Sequence, residues 1–330
     1  MNPRHRRLLI PGLLTVLIVV VLLTSLARSA KGATVAPDAT GQLVSTIGDP
    51  RAAESSGLIL SIDHKDLAYT VNDSGNAPIV FAIRVSTGRT VGTTTIRGGT
   101  LVDTEALSID GHGTLWIADT GDNAGRRTDS ALYSLPEPGE GNHTVTAMRF
   151  PVSYEDRPHN VEALLINPVT GAKFLASKGA PGGKLFALPQ SLSTSSANLA
   201  TVTATIVPAI VTDGAFTPDG RHAVLRTYGS MSVYDASDWK LLRGVELPKQ
   251  EQGETIAVEA GGDSVLIGSE GKDSQLLRIP LDTSAPAAAE EKTFDNGGPD
   301  EGNDRPWVPV VVVAGVLLVA AGVVVSRRLR

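Results

Sequence analysis

The sequence predicts an all-β fold, a single β-propeller closed by an N-terminal strand and flanked by N- and C-terminal hydrophobic helices. Three observations carry this. One hairpin pattern recurs five times, its first strands holding Leu58, Leu107, Leu164, Ala215 and Ile256 at steps of 49, 57, 51 and 41 residues. Each copy is followed by one or two further short strands, the layout of a four-stranded propeller blade. Helical periodicity is absent between residues 43 and 281. The count favours five blades. A sixth would have to come from the irregular stretches 136–160 or 189–210.

In chain order, residues 1–31 carry Arg4, Arg6 and Arg7 ahead of an apolar run from Leu8 to Leu26. This is the layout of a signal peptide, with Ser25-Leu26-Ala27 as its small-residue cleavage site, or of a retained signal anchor. Either outcome exports the domain behind it. Residues 32–42 form a small-residue linker. Residues 43–285 form the propeller, opened by the lone strand Leu43–Ile47.

The hairpins pair Ser56-Gly57-Leu58 with LAYTVNDSG, Glu105-Ala106-Leu107 with LWIADTGD, and Glu162-Ala163-Leu164 with KFLASKG. Asp213-Gly214-Ala215 pairs with HAVLRTYG, and Glu254-Thr255-Ile256 with SVLIGSEG. The fourth strands are Thr90–Ile96, Thr144–Phe150, Thr201–Val207 and Leu241–Leu247. The fifth unit lacks one, so Leu43–Ile47 completes it and removes an exposed edge.

Residues 286–306 have no apolar pattern and read as a flexible acidic stalk. Residues 307–326 are apolar, led by Trp307, and are long enough to span a bilayer. Residues 327–330, with Arg327, Arg328 and Arg330, mark the cytoplasmic side. The expected location is the cell membrane, single-pass, or two-pass if the N-terminal segment is retained, with the propeller outside the cytoplasm.

The chain has no Cys, which excludes disulfides and thiolate chemistry. Its net charge is −6. Eight basic residues lie near the two ends, and every acid lies between Asp38 and Asp304. Such an acidic domain argues against nucleic-acid binding and suits cations or neutral partners.

In a propeller, the loop entering each first strand and the loop leaving each second strand share one face. The expected ligand-binding set at that channel mouth is Glu54, Asp73, Glu105, Asp119, Asp122, Glu162, Lys178, Asp213, Arg226, Tyr228, Glu254 and Glu270. Crowded carboxylates repel unless compensated. A calcium or magnesium ion compensates well, since hard cations take carboxylate oxygens. Asp103, Glu105, Asp119 and Asp122 form the candidate metal set, and calcium is the candidate cofactor. Each acid alone has a plainer reading, as a partner for backbone N–H groups or a neighbouring base. Known catalytic motifs such as GxSxG, the P-loop and HExxH are absent. His159, Glu162 and Arg226 are the catalytic candidates, as an acid–base pair with an anion holder. The opposite-face turns, such as Asp110-Gly111-His112, read as ordinary turn chemistry.

The segments VNDSGN, EALSIDGHGTLWIADTGDNAGRR, VEALLINPVTGAKFLASK, VTDGAFTPDGRHAVLRTY and IGSEG resemble a group of secreted or membrane-anchored bacterial β-propeller proteins without a characterised function. More distantly, DGHGTLWIADTGDN is similar to blade motifs of NHL-type, gluconolactonase-like and phytase-like propellers. That likeness implies a metal-assisted hydrolase or a binding platform. The metal ligands of those enzymes have no residue-by-residue counterpart here. Two functions are therefore expected. One is a membrane-tethered module binding a cell-envelope protein or small molecule through the polar mouth. The alternative is a calcium-dependent hydrolase of phosphate esters or lactones.

Overall fold

The computed structural model describes residues 35–36, 40–73 and 75–284, all within one unit, Met1–Ala287. The expected signal segment, the stalk, the C-terminal span and its basic tail lie outside the described residues. Among those described, no helix is long and apolar enough to cross a membrane. The protein is all-β, and the one helical turn among the described residues is a 3-10 turn at Pro50–Ala52.

Twenty-two strands form the fold of the described residues. β1 (Val35–Ala36) and β2 (Gln42–Ile47) precede the first meander, β3 (Ser55–Leu60), β4 (Leu67–Asn72), β5 (Ile79–Arg84) and β6 (Arg89–Arg97). The second comprises β7 (Thr104–Ile109), β8 (Thr114–Asp119), β9 (Ala131–Pro136) and, after β10 (Gly141–Thr146), β11 (Met148–Tyr154). The third comprises β12 (Val161–Ile166), β13 (Lys173–Ser177), β14 (Gly183–Ala187) and β15 (Asn198–Val207). The fourth comprises β16 (Val211–Phe216), β17 (His222–Thr227), β18 (Ser230–Asp235) and β19 (Leu241–Glu246). The last comprises β20 (Gln252–Val258), β21 (Ser264–Glu270) and β22 (Ser274–Pro280), and β2 pairs antiparallel with β22 as its fourth strand.

Within each meander the pairing is antiparallel. The second and third meanders join into one eight-stranded sheet through the parallel pair β11–β15. Elsewhere, β10 covers the edge of β6 and β1 covers the edge of β19, both in parallel. Covered edges leave fewer unpaired backbone groups to recruit another chain.

The second meander differs from expectation. The stretch expected as its single fourth strand, Thr144–Phe150, divides at Ala147. Its first part belongs to β10 and pairs with β6, from Gly141↔Gly92 to Thr146↔Arg97. Only Met148–Tyr154 runs beside β9. Paired glycines permit this crossing, because a Cβ on Gly92 would stand 2.3 Å from the carbonyl oxygen of Gly141. Residues 136–160 thus supply an added edge strand rather than a sixth meander.

The first strands are the most buried elements; β7, β12 and β16 are buried at every position. They neighbour one another in sequence order, β3 beside β7, then β12, β16 and β20, and β20 returns to β3. Apolar side chains fill the spaces between successive meanders. Leu107 and Tyr69 pack between the first and second, Leu132 and Leu164 between the second and third, and Leu165 and Leu225 between the third and fourth. Val233 and Ile267 pack between the fourth and fifth, and Leu58 and Leu266 between the fifth and first. Every first strand starts at one end of the molecule, here the open end, and finishes at its hairpin turn, the turn end.

Candidate functional site at the open end

A shared backbone irregularity positions the open-end side chains. Each first strand carries a one-residue register shift against its partner, at Ser56/Leu58, Thr104/Ala106, Val161/Ala163, Val211/Asp213 and Gly253/Thr255. The extra residues are Gly57, Glu105, Glu162, Thr212 and Glu254. Bulges re-aim side chains and gather near functional sites. Here three of the five present a buried glutamate.

Glu105 is the centre of the arrangement. It is 4% exposed. Burial pushes its carboxyl up to about 10, with the charges of Glu162, Asp73 and Asp103 adding to the shift and Lys178 opposing it. Ser56 Oγ donates to its carbonyl at 2.8 Å and reaches Oε2 at 3.3 Å. Asp103 is pushed up to about 6, first by burial and then by Asp73 beside it, while Arg127 pulls the other way. Carboxylate oxygens of Asp73, Asp103 and Glu105 lie within 4.8 Å of one another. Asp103 Oδ1 is buried and accepts no hydrogen bond from the described residues.

Gly121 forms the wall of this cluster. A Cβ there would stand 2.3 Å from Glu105 Oε1 and 2.5 Å from Asp103 Oδ2. Its own N–H donates to the Asp103 carbonyl at 3.0 Å.

The rest of the open end is better compensated. Lys178 Nζ lies 3.1 Å from Glu162 Oε2, and Asn160 Nδ2 donates to Oε1 at 2.6 Å. Burial still keeps the Glu162 carboxyl above its ordinary range, against the pull of Lys178. Burial disfavours the Lys178 ammonium, but the charge of Glu162 and the hydrogen bonds with Tyr228 and Glu162 together outweigh it and hold Lys178 above its usual range. Lys178 also stands 5.2 Å from the ring centre of Tyr228. Glu254 and Glu270 are each pushed up to about 7 by burial, with Asp73 and Glu54 adding to the shift of Glu270. Gln252 Nε2 bridges them at 3.0 and 2.7 Å. Glu54 accepts from Asn76.

The structure thus gathers Glu54, Asp73, Asp103, Glu105, Glu162, Lys178, Tyr228, Glu254 and Glu270. It places the other expected site residues elsewhere. Asp119, 1% exposed, accepts the N–H groups of Val102 and Asp103 and pairs with Arg127 at 3.1 Å. Asp122 accepts from Arg127 N. Asp119 shapes the loop that carries Asp103, Asp122 shapes the loop that carries Arg127, and the close acid cluster takes Asp73 in their place.

Asp213 and Arg226 lie inside the fold. Asp213 Oδ2 accepts the N–H of Leu58 at 3.2 Å and of Ile256 at 2.8 Å, and Oδ1 accepts that of Gly214. One carboxylate therefore ties β16 to β3 and β20. Burial pushes it up to about 8, and those three donors and Arg226 pull it back. Arg226, fully buried, donates to the carbonyls of Thr255 and Gly268 and to Gln250. Burial lowers it to about 10. His159 bonds Asp156 at 2.8 Å and packs its ring against Tyr154 and Phe186, so its contacts differ from those of Glu162.

Sequence reasoning missed the bulges and Gly121. The one legible signal for Gly121 was a glycine directly after a strand end and between two acids, in Asp119-Thr120-Gly121-Asp122. No protein-family model matches this chain, and no curated protein matches it.

Proposed function

We propose that the five meanders are the blades of a β-propeller, and that its open-end mouth is a binding site for a hard divalent cation, calcium by its all-oxygen ligand chemistry. The cyclic succession of the five first strands supports the propeller. The observation that carries the site is the convergence of Asp73, Asp103 and Glu105 within 4.8 Å, with one Asp103 oxygen buried and unpartnered. A cation lowers the cost of keeping these groups ionised. Exposed oxygens around it then offer a contact surface for a cell-envelope protein or an anionic small molecule, the cation acting as bridge. The hydrophobic segments at residues 8–26 and 307–326 support a membrane-tethered, extracytoplasmic location.

The test is equilibrium dialysis of the full chain in detergent against radioactive calcium. One ion per chain is expected, lost in the Asp103→Asn, Glu105→Gln double variant. No retained ion at millimolar calcium rejects the site. A second reading, hydrolysis of a phosphate ester or lactone at the bound cation, draws support from Glu254 and Glu270. Carboxyls near 7 suit a general base. Calcium-dependent turnover of p-nitrophenyl phosphate or dihydrocoumarin, lost in Glu254→Gln, is its signature.

A further inference from the structure

The turn end holds a cavity whose chemistry differs from that of the open-end acids. The last residue of every first strand lines it: Leu60, Ile109, Ile166, Phe216 and Val258. Its volume is about 730 Å³. Small-molecule sites span roughly 300–1,000 Å³, mostly apolar with a few placed polar groups. Such a group is present. Ser108 is 5% exposed and lines the cavity, and its hydroxyl has no hydrogen-bond partner among the described residues. Its oxygen is open to the cavity, which leaves it free to pair with a ligand oxygen. At the rim, Arg278 and Glu259 neutralise each other through two hydrogen bonds of 2.6 and 2.8 Å, and Lys65 and Asp66 add one charge of each sign, so the lining carries no net charge to select an ion.

The chain crosses into and out of the domain at this same end. Gln42 pairs with Arg278, and Leu281 N bonds the Asp263 carbonyl at 2.8 Å. The apolar runs Leu8–Leu26 and Trp307–Val325 are therefore joined to the domain at its turn end, by residues 27–41 and 282–306.

We infer that this cavity binds a single aliphatic chain carrying an uncharged oxygen, a fatty alcohol or acyl ester, with the oxygen at Ser108 and the chain against the five strand ends. The aliphatic lining sets the preference. A bilayer lipid as its source rests on the membrane tether proposed above, and a free alkanol does not.

Photolabelling of the full chain in nanodiscs tests it, with peptide mapping by mass spectrometry. One arm uses a diazirine-bearing dodecanol and the other a phospholipid with the diazirine on its acyl chain. Label is expected on Ile59–Leu67 and on the peptide holding Ser108 and Ile109, competed by excess dodecanol. Ser108→Val should cut dodecanol labelling several-fold and spare a diazirine alkane. Ile62→Asp, at an exposed rim position, should reduce all three probes without touching the core. Cavity labelling in both arms marks the bilayer as source, and in the soluble arm alone a free ligand. Label confined to residues 8–26 and 307–325, or cavity label that dodecanol fails to compete, overturns the inference. Alkaline extraction of membranes reports on the tether by itself.

Discussion

Glu105 and Asp213 are both buried carboxylates on first strands, and burial is the leading cause of the upward shift in each. Their neighbours differ. Asp213 meets three backbone N–H donors and the Arg226 charge. Glu105 meets Glu162, Asp73 and Asp103, with Lys178 as the opposing charge. A buried acid surrounded by donors is a structural tie, because its bonds are complete within the chain. A buried acid among other acids has an incomplete environment that a cation completes. Burial alone does not separate the two roles.

Removing each carboxylate should break this comparison most visibly. Asp213→Ala frees the N–H groups of Leu58 and Ile256 and leaves Arg226 without its compensating charge. The expected loss is about 3–5 kcal/mol, read from the denaturant midpoint. Glu105→Gln should instead leave metal-free stability equal or raised, because folding forces the Glu105 carboxyl to take up a proton at pH 7 that the unfolded chain does not hold, and Gln needs none. A comparable loss from both variants would merge the two roles.

Next in size is the effect of calcium. At 100-fold over its dissociation constant, one ion stabilises the folded state by about 2.7 kcal/mol. This gain should appear in Asp213→Asn if that variant folds, and vanish in Glu105→Gln. Smaller again is Gly121→Ala. Its Cβ forces Glu105 and Asp103 apart, so calcium affinity should fall about tenfold, or about 1.4 kcal/mol, by titration. An unchanged affinity would remove Gly121 from the wall of the site.

The last comparison is in pH and concerns the three less shifted acids, since Glu105 and Asp213 keep their protons to higher pH. Asp103 near 6 and Glu254 and Glu270 near 7 hold protons more tightly folded than unfolded. Their contribution is fully present below the ordinary carboxylate pKa of about 4, and is lost as pH rises to about 7. Metal-free stability should therefore decline across that window, the partly exposed Asp103 and Glu270 contributing about 1 kcal/mol or less each after solvent screening and the buried Glu254 more. Saturating calcium should flatten the decline. Stability rising with pH in metal-free protein would contradict the assignment.

The recurring hairpins were legible because buried strands read as short apolar runs bounded by turn residues. The pairing of Leu43–Ile47 with the last meander was legible for the same reason. Register was less legible. Aligning Asp213 with Glu105 and Glu254 placed it at the open end. The bulge residue of its strand is Thr212, so Asp213 matches Ala106 and Thr255 and lies one step further inside. A one-residue slip moves a side chain to another environment. Arg226, its register partner on β17, moved inward with it. In the first unit the bulge residue is Gly57 rather than Ser56. Its φ of 76° and a hypothetical Cβ 2.8 Å from Leu107 N leave room only for glycine, so that sector has no acid on its bulge. The turn-end cavity was illegible because its lining comes from five strand ends far apart in sequence.

The central claim is that the acid cluster is completed by a cation. Calorimetric titration of the full chain with calcium at pH 7, repeated in buffers of different ionisation enthalpy, tests it most directly. Glu105 pushed up to about 10 holds its proton at pH 7, so the incoming ion must displace it. The account predicts one ion per chain and about one proton released, both abolished by Glu105→Gln. Absence of binding at millimolar calcium, or binding without proton release that survives Glu105→Gln, would contradict it.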